Sequence, residues 1–406
     1  MSSATQLRTR VLAVGTAIVF LLIAGVWIAF TQSSARSAQT GGQPAASGKK
    51  TTKTVASSAP LRVTSVTPAA HSSGVSGVAP IKIQFSEPVA AGSPLPTVHP
   101  AVAGTWQGAG TSSLEFTPSV GFKQSAHVQV RIPGGALGME STGGGLLAAD
   151  VKVKYRVGAY RTARLDELLA QLGYLPLTWT PAAGATVPAA SDTAGQLAAA
   201  YSPPPGQFSW KSGYPSQLHQ FWRGGSKAGL ILQGAIRKFE SDHGLTMDGI
   251  AGPQVWSHVL KAVAADDANK DGYTYAIADE GSPETLTIWH DGRQVFHTLT
   301  NTGIPASPTT IGTAPVYIRY YTQIMRGKNP DGTKYADRVY YVAYFRAGEA
   351  VHYFLRPYYG APQSLGCVEL PMSEAKLAWP YLTYGSLVTV QRGADTPSTS
   401  PTDPTT

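Results

Sequence analysis

The sequence predicts a multidomain, β-dominated chain: an N-terminal transmembrane helix, an all-β sandwich, a small all-α three-helix domain and a second β-dominated domain that carries the chemistry. Three observations predict it. Apolar residues alternate at period two over residues 61–157 and again over 272–392, they recur at helical spacing within 160–265, and an uncharged apolar run occupies residues 11–30.

That run, "VLAVGTAIVFLLIAGVWIAF", spans a hydrocarbon core of about 30 Å at ~1.5 Å rise per residue. Arg8 and Arg10 precede it, which places the C-terminal bulk outside the cytoplasm. A cleaved signal peptide is the alternative, with "SARSA" near residue 38 as its processing site. The apolar region of a secretory signal runs only ~7–15 residues, so we read residues 1–30 as a cytoplasmic tip and an uncleaved anchor. The expected location is the cytoplasmic membrane, single-pass with the catalytic domain extracytoplasmic; the alternative is secretion to the cell wall. Residues 31–60 are rich in Ser, Thr, Ala, Gly and Lys without an aromatic, too poor in apolar surface to offset their ordering entropy, and are read as a flexible linker. The tail 393–406 reads the same way. The formal charge is +8, but the basic residues are dispersed and do not interleave with aromatics. That excludes a nucleic-acid partner and suits an anionic envelope polymer.

Over residues 61–157, "PIKIQFSEPV", "TSSLEFTPS" and "AHVQVRIP" each put apolar residues on one face, and Gly, Pro and Ser clusters punctuate them. Short strands at this spacing predict a β-sandwich. With "GTWQG" between them, these runs resemble bacterial Ig-like repeats of envelope proteins. His71, His99 and His127 are scattered through the segment, and no metal site is expected from them.

Near residue 160 the period changes. Leu165, Leu168, Leu169 and Leu172 stand at helical spacing ahead of Gly173, a C-cap residue. After a long Pro/Gly/Ser-rich insertion, Leu232, Ala235, Ile236 and Phe239 make a second stripe ended by Gly244. Pro253 suits the first position of a third helix, whose inner face is Val255, Trp256, Val259 and Leu260. The turn "MDGIAG" between them, with Asp248, Gly249, Gly252, Pro253 and Trp256, resembles the small three-helix peptidoglycan-binding domain, which implies glycan binding at this turn. The competing reading gives Gly249, Gly252 and Trp256 only turn and core roles.

The strand pattern returns at Tyr273, with "HDGRQ" as a hairpin signal, and the chain's single cysteine, Cys367, lies in "SLGCVEL". An exported protein normally pairs its cysteines or dispenses with them, so Cys367 is either a buried packing residue or a nucleophile. His352 lies fifteen residues upstream at the end of a strand-like run. An imidazole in reach can take a thiol proton and return it to a leaving amine, and a backbone carbonyl can orient the ring. Gly366 lets the chain turn sharply and present N–H groups to an oxyanion. One thiol and one histidine fall short of a zinc site, so no metal is expected.

The run "HYFLRPYYGAPQSLGCVEL" resembles the L,D-transpeptidase signature, and "NTGIPASPTTIGTAPVY" resembles that family's upstream segment. The resemblance implies that Cys367 is the acylated nucleophile and His352 the general base. It implies that the Tyr353 carbonyl orients the ring, and that Gly366 and Cys367 amides line an oxyanion hole beside Ser364. The family often has His where this chain has Leu365, and Arg or Asn where it has Glu369. Glu369 can meet a substrate ammonium or cap local structure, and Tyr335 can contribute a flap hydroxyl or simply pack. The function implied is a peptidoglycan transpeptidase making 3→3 cross-links through a thioester. The alternatives are an L,D-carboxypeptidase and a non-catalytic wall-binding protein. Peptidoglycan stem peptides and glycan are the expected partners, and no cofactor is needed because the enzyme itself supplies base and oxyanion donors.

Overall fold

The computed structural model describes residues 59–393. Strands β1 (Val63–Thr67), β2 (Ile81–Phe85), β3 (Thr97–His99), β4 (Gly104–Gln107), β5 (Ser113–Pro118), β6 (His127–Ile132) and β7 (Val151–Arg156) come first. They form two antiparallel sheets, in the orders β1-β2-β5-β4 and β3-β6-β7. Ile81, Ile83, Leu114, Val130 and Ile132 fill the space between them and are essentially without solvent contact.

The middle segment departs from the expectation. Instead of a separate three-helix domain it holds α1 (Thr162–Gln171), β8 (Leu177–Pro181), α2 (Thr193–Tyr201), β9 (Gly206–Trp210), a 3-10 helix (Ser216–Phe221), α3 (Leu230–Asp242) and α4 (Pro253–Ala265). The stretch that reads as structureless is ordered for local reasons. Asp192 caps α2 by accepting the Gly195 N–H at 2.9 Å. Strands β8 and β9 pair antiparallel with Trp179 opposite Phe208 and Leu177 opposite Trp210, aromatic and aliphatic cross-strand contacts that favour pairing.

The third segment has β10 (Thr274–Asp279), β11 (Thr285–His290), β12 (Arg293–Leu299), β13 (Gly312–Pro315), β14 (Ile318–Lys328), β15 (Lys334–Arg346), β16 (Glu349–Tyr353), β17 (Val368–Leu370), α5 (Met372–Ala378) and β18 (Leu387–Gln391). One sheet runs β12-β11-β10-β18-β13 and the other β14-β15-β16-β17. The β11–β12 turn has Asp291 and Gly292 both at positive φ, the geometry an Asp-Gly pair favours in a two-residue hairpin. Central β10 is buried along nearly its whole length, because α3 covers one face of its sheet and the second sheet's core the other.

The helices do not enclose a core of their own. Leu168, Leu232, Phe239 and Val259 share one cluster with Tyr273, Tyr275, Ile277 and Leu387 of the third segment. Tyr160 packs edge-on against both Tyr201 and Trp256, with ring centroids 4.9 Å away in each case, and Tyr201 reaches the sandwich core. Three apolar stripes that read as a self-contained bundle are thus satisfied partly by strands β10 and β18 of the third segment.

The expected membrane-crossing helix at residues 11–30 lies outside the described residues, as do the linker to residue 58 and the tail from residue 394. Among the described residues no helix is long and apolar enough to cross a membrane. The fold-class and location expectations are corrected accordingly: among the described residues there is neither a membrane-crossing helix nor a free-standing helical domain.

Gly234 on α3 and Gly385 before β18 meet backbone to backbone: a Cβ on Gly234 would lie 2.4 Å from the Gly385 carbonyl oxygen. Replacing Gly234 with Ala gains up to about 1 kcal/mol of helix propensity but forces the helix off the sheet, an overpacking cost of about 1–3 kcal/mol. The clash wins. We expect Gly234→Ala to lower the chemical denaturation midpoint, with helical and β signals lost in a single transition because they share a core. A raised midpoint or separate transitions would contradict this junction.

Candidate active site

Strands β16 and β17 lie side by side and parallel, with Val351 opposite Val368, His352 opposite Glu369 and Tyr353 opposite Leu370. Side chains alternate faces along a strand, so His352 and Glu369 project to one side, and Cys367, two residues before Glu369, follows the same side. All three line a cleft of about 650 Å³. The long β14–β15 hairpin supplies its other wall through Gln323, Met325, Tyr335 and Val339, with Tyr344 deeper in.

His352 is 2 % exposed. Its Nδ1 lies 2.9 Å from the Tyr353 carbonyl, so the ring carries its proton there and directs the Nε2 lone pair elsewhere. Burial lowers the imidazole pKa below its ordinary value, more than the Tyr353 bond and the Glu369 charge raise it. Cys367 is half-buried against Val339, Val342, Ala350 and Phe354. Burial pushes its thiol up to about 12, against a lowering contribution from the Ala350 N–H. Both groups are therefore neutral at rest. The thiol's surroundings also raise Tyr335 and, to about 12, Tyr344; burial is the larger cause in each.

The turn before Cys367 is fixed from inside. Gly366 has φ +110°, a conformation that L side chains avoid, and a Cβ there would meet the Pro308 carbonyl and Glu349 only at ordinary van der Waals distances of 3.7 and 3.9 Å, so backbone angle, not crowding, requires glycine. Ser364 is fully buried; its Oγ donates to the Cys367 carbonyl at 2.6 Å and accepts the Gly366 N–H at 3.1 Å. The Gly366 amide expected at an oxyanion is thus engaged by Ser364, which leaves Gly366 a conformational role. The Thr302 carbonyl accepts the Ser364 N–H at 2.9 Å. Thr302 in turn is held by buried Glu284, which accepts its N–H at 2.6 Å and its hydroxyl at 2.7 Å.

Glu369 faces the cleft, but its carboxylate is taken by a residue that sequence reasoning missed. Arg356 donates from Nε to Oε2 at 2.7 Å and from a terminal nitrogen to Oε1 at 2.9 Å, with its guanidinium over the Phe354 ring. An unexpected acid beside a nucleophile was itself a signal that a cation must be close, and "FLRP" supplied the only arginine between the histidine and the cysteine. Tyr335 lies across Gly327 of the facing strand, where a Cβ would fall on its ring, and its hydroxyl end reaches the cleft. Leu365 lines the cleft too, and its carbonyl accepts from Ser307 Oγ at 3.1 Å.

The turn at 248–252 is remote from this cleft. Asp248 is exposed and accepts the Ile250 N–H at 2.8 Å. Gly249 has φ +72° and donates to Glu240, a buried carboxyl that desolvation pushes up to about 7. Gly252 is the extended residue preceding Pro253 at the start of α4, and Trp256 is buried against Tyr160. Gly249, Gly252 and Trp256 serve the turn and the core. Among the described residues no cluster of His, Cys, Asp or Glu could hold a metal ion.

Removing one partner of a buried ion pair costs more than removing both, since a charge is left without compensation. We expect Arg356→Ala to destabilise by roughly 3 kcal/mol, and Arg356→Ala with Glu369→Leu to recover a large part of it, read by urea denaturation. Additive losses would show that the pair contributes no coupling.

Residues 57–157 match the family of the bacterial Ig-like domain, and residues 273–390 match the L,D-transpeptidase catalytic domain. No curated protein matches the chain. Among solved structures, the chain is similar to an L,D-transpeptidase from Mycobacterium smegmatis at 15 % identity, covering 82 % of this chain and 100 % of that one, with TM-score 0.27. It is similar to L,D-transpeptidase 3 from Mycobacterium tuberculosis at 13 % identity, 81 % and 98 % coverage and TM-score 0.27. It is similar to the catalytic domain of the E. faecium L,D-transpeptidase at 27 % identity, 29 % and 96 % coverage and TM-score 0.27. With the cysteine and histidine of one cleft inside the matched segment, the chain carries an L,D-transpeptidase catalytic domain behind an Ig-like domain, and its function is that of a peptidoglycan L,D-transpeptidase.

Proposed function

We propose that the enzyme forms 3→3 cross-links through a thioester on Cys367. One observation carries this reading: the chain's sole thiol shares a cleft with a buried, neutral imidazole whose ring is oriented by the Tyr353 carbonyl. A thiol held near 12 is not a thiolate at neutral pH, so attack must be coupled to proton transfer. As Sγ bonds to the carbonyl carbon of the third stem residue, His352 Nε2 takes the thiol proton and the carbonyl electrons move to oxygen. The Cys367 amide is the donor we assign to that oxyanion, Gly366 being engaged with Ser364. Collapse breaks the C–N bond, and the imidazolium returns its proton to the departing D-alanine amine. An acceptor amine then attacks the thioester, His352 again receiving the proton, and the thiol is regenerated.

Glu369 is neutralised by Arg356, which disfavours it as the contact for an acceptor ammonium. The carboxypeptidase alternative uses the same thioester with water as acceptor. No glycan-holding role is assigned to the turn at 248–252.

Intact mass after incubation with a stem tetrapeptide is expected to show an adduct on the parent protein and none on Cys367→Ala. His352→Ala should remain folded and acylate roughly 10²–10⁴-fold more slowly. Equal rates in His352→Ala and the parent would overturn its role as base, and products without dimers would favour hydrolysis.

The pKa directions also set a pH profile. Because His352 is depressed, it stays an unprotonated base below the ordinary imidazole value, and acylation falls only as pH drops through that lowered pKa. Because the thiol is raised, alkylation by iodoacetamide should keep climbing with pH past the ordinary cysteine range. A plateau centred near 8.5 would contradict the buried thiol.

A further inference from the structure

The chain's dispersed basic residues are not dispersed in space. Strands β6 and β7 pair so that Arg131 faces Lys152, Gln129 faces Lys154 and His127 faces Arg156, and β3 adds His99 opposite Gln129. The alternation that buries Val128, Val130, Val153 and Tyr155 turns these side chains outward, and all the basic ones are exposed. Like charges directly opposite one another across a sheet destabilise it. One acid offsets part of this: Asp150 accepts from Arg131 Nε at 2.7 Å. Among the described residues, Lys152, Lys154 and Arg156 have no ion-pair partner.

The face is also walled. The loop at 71–73 folds over its edge, tied by the His71 N–H to the Lys154 carbonyl at 2.7 Å and the Arg156 N–H to the Ser72 carbonyl at 2.9 Å. With His99 and His127 it encloses a groove of about 550 Å³ whose lining contains no carboxylate. Among the described residues these three histidines do not approach closely enough to hold a metal.

We propose that this groove on the Ig-like domain is a docking site for a linear phosphodiester polymer. Alternate residues of a strand lie about 6.7 Å apart, so Lys154 and Arg156 in the groove, with Lys152 outside it on the same face of β7, present a row of charges at regular intervals, as a chain with one charge per repeat requires. Lysine, guanidinium and imidazole approach from the sheet and from the loop, with the Ser73 side chain beside them; the Ser72 hydroxyl is turned back to the Ala69 carbonyl at 2.8 Å. A tetrahedral phosphate, with oxygens pointing in several directions, uses such donors better than a planar carboxylate does. The groove has no large exposed apolar side chain in its lining to enter a bilayer, which favours a polar polymer over a membrane surface. Docking here would hold the enzyme in an anionic matrix without involving the catalytic cleft.

The test uses the full chain and a fluorescent poly(glycerol phosphate), read by anisotropy across a salt series. Lys154→Gln with Arg156→Gln should weaken binding at least ~10-fold and reduce the slope of log K against log salt by about two, close to one for each phosphate that is no longer neutralised. Lys154→Arg should keep the affinity, and Lys82→Gln, on the other sheet, should leave it unchanged. Acylation of Cys367 by stem peptide should be the same in all of them. Undiminished affinity in the double variant would overturn the proposal. So would equal binding of duplex DNA, tighter binding of phosphatidylglycerol vesicles, or equal retention by peptidoglycan stripped of phosphodiester polymers.

Discussion

The parallel pairing of β16 with β17 is the constraint on which the site depends. Its register sets His352 opposite Glu369 and carries Cys367 to the same face. A slip of β17 by one residue would turn Cys367 and Glu369 away from the face that His352 occupies, because strand side chains alternate. The register is held at its entrance by Ser364, which ties Gly366 to Cys367, and from behind by the isolated pairing of Asn301 with Glu369. Thr300 reinforces it by donating its hydroxyl to the Glu369 carbonyl at 2.8 Å. The catalytic geometry is therefore a property of sheet and turn rather than of any one side chain.

Burial then sets the chemistry. The same apolar walls that raise the thiol lower the imidazole, so the resting site is a neutral pair rather than an ion pair. At neutral pH such a site favours attack that is coupled to proton transfer over attack by a free thiolate. Glu369, the carboxylate on the same strand face as Cys367, is matched by Arg356, so it perturbs the thiol less than an unpaired carboxylate would.

The site is connected to the rest of the molecule through shared cores. The helical segment buries its stripes against β10 and β18, and Tyr160 bridges it to the sandwich. The backbone contact of Gly234 with Gly385 brings α3 against the sheet that underlies the cleft. The Ig-like domain brings a second kind of surface, basic and solvent-facing, on a sheet whose other side is an ordinary hydrophobic core.

Much of this was legible in residue order. Period-two alternation marked the strands, the Asp291-Gly292 pair marked its hairpin, and a lone cysteine with one upstream histidine marked the chemistry. Local signals of that kind survive in sequence because they are fixed by backbone periodicity and by side-chain reactivity. What the sequence left open depends on which distant segments meet. Helical stripes show that a face is buried but not against what, so 160–265 read as a free bundle when part of its core lay after residue 272. Arg356 was one arginine among many until the sheet set it against Glu369, and the Gly366 amide read as an oxyanion donor until Ser364 proved to occupy it. The basic residues of β6 and β7 looked scattered because neighbours across a sheet are far apart along the chain. Sequence by itself determined the local elements and singled out the candidate cysteine and histidine; only the tertiary structure decided the pairings, because burial and charge compensation are relations between segments that residue order does not bring together.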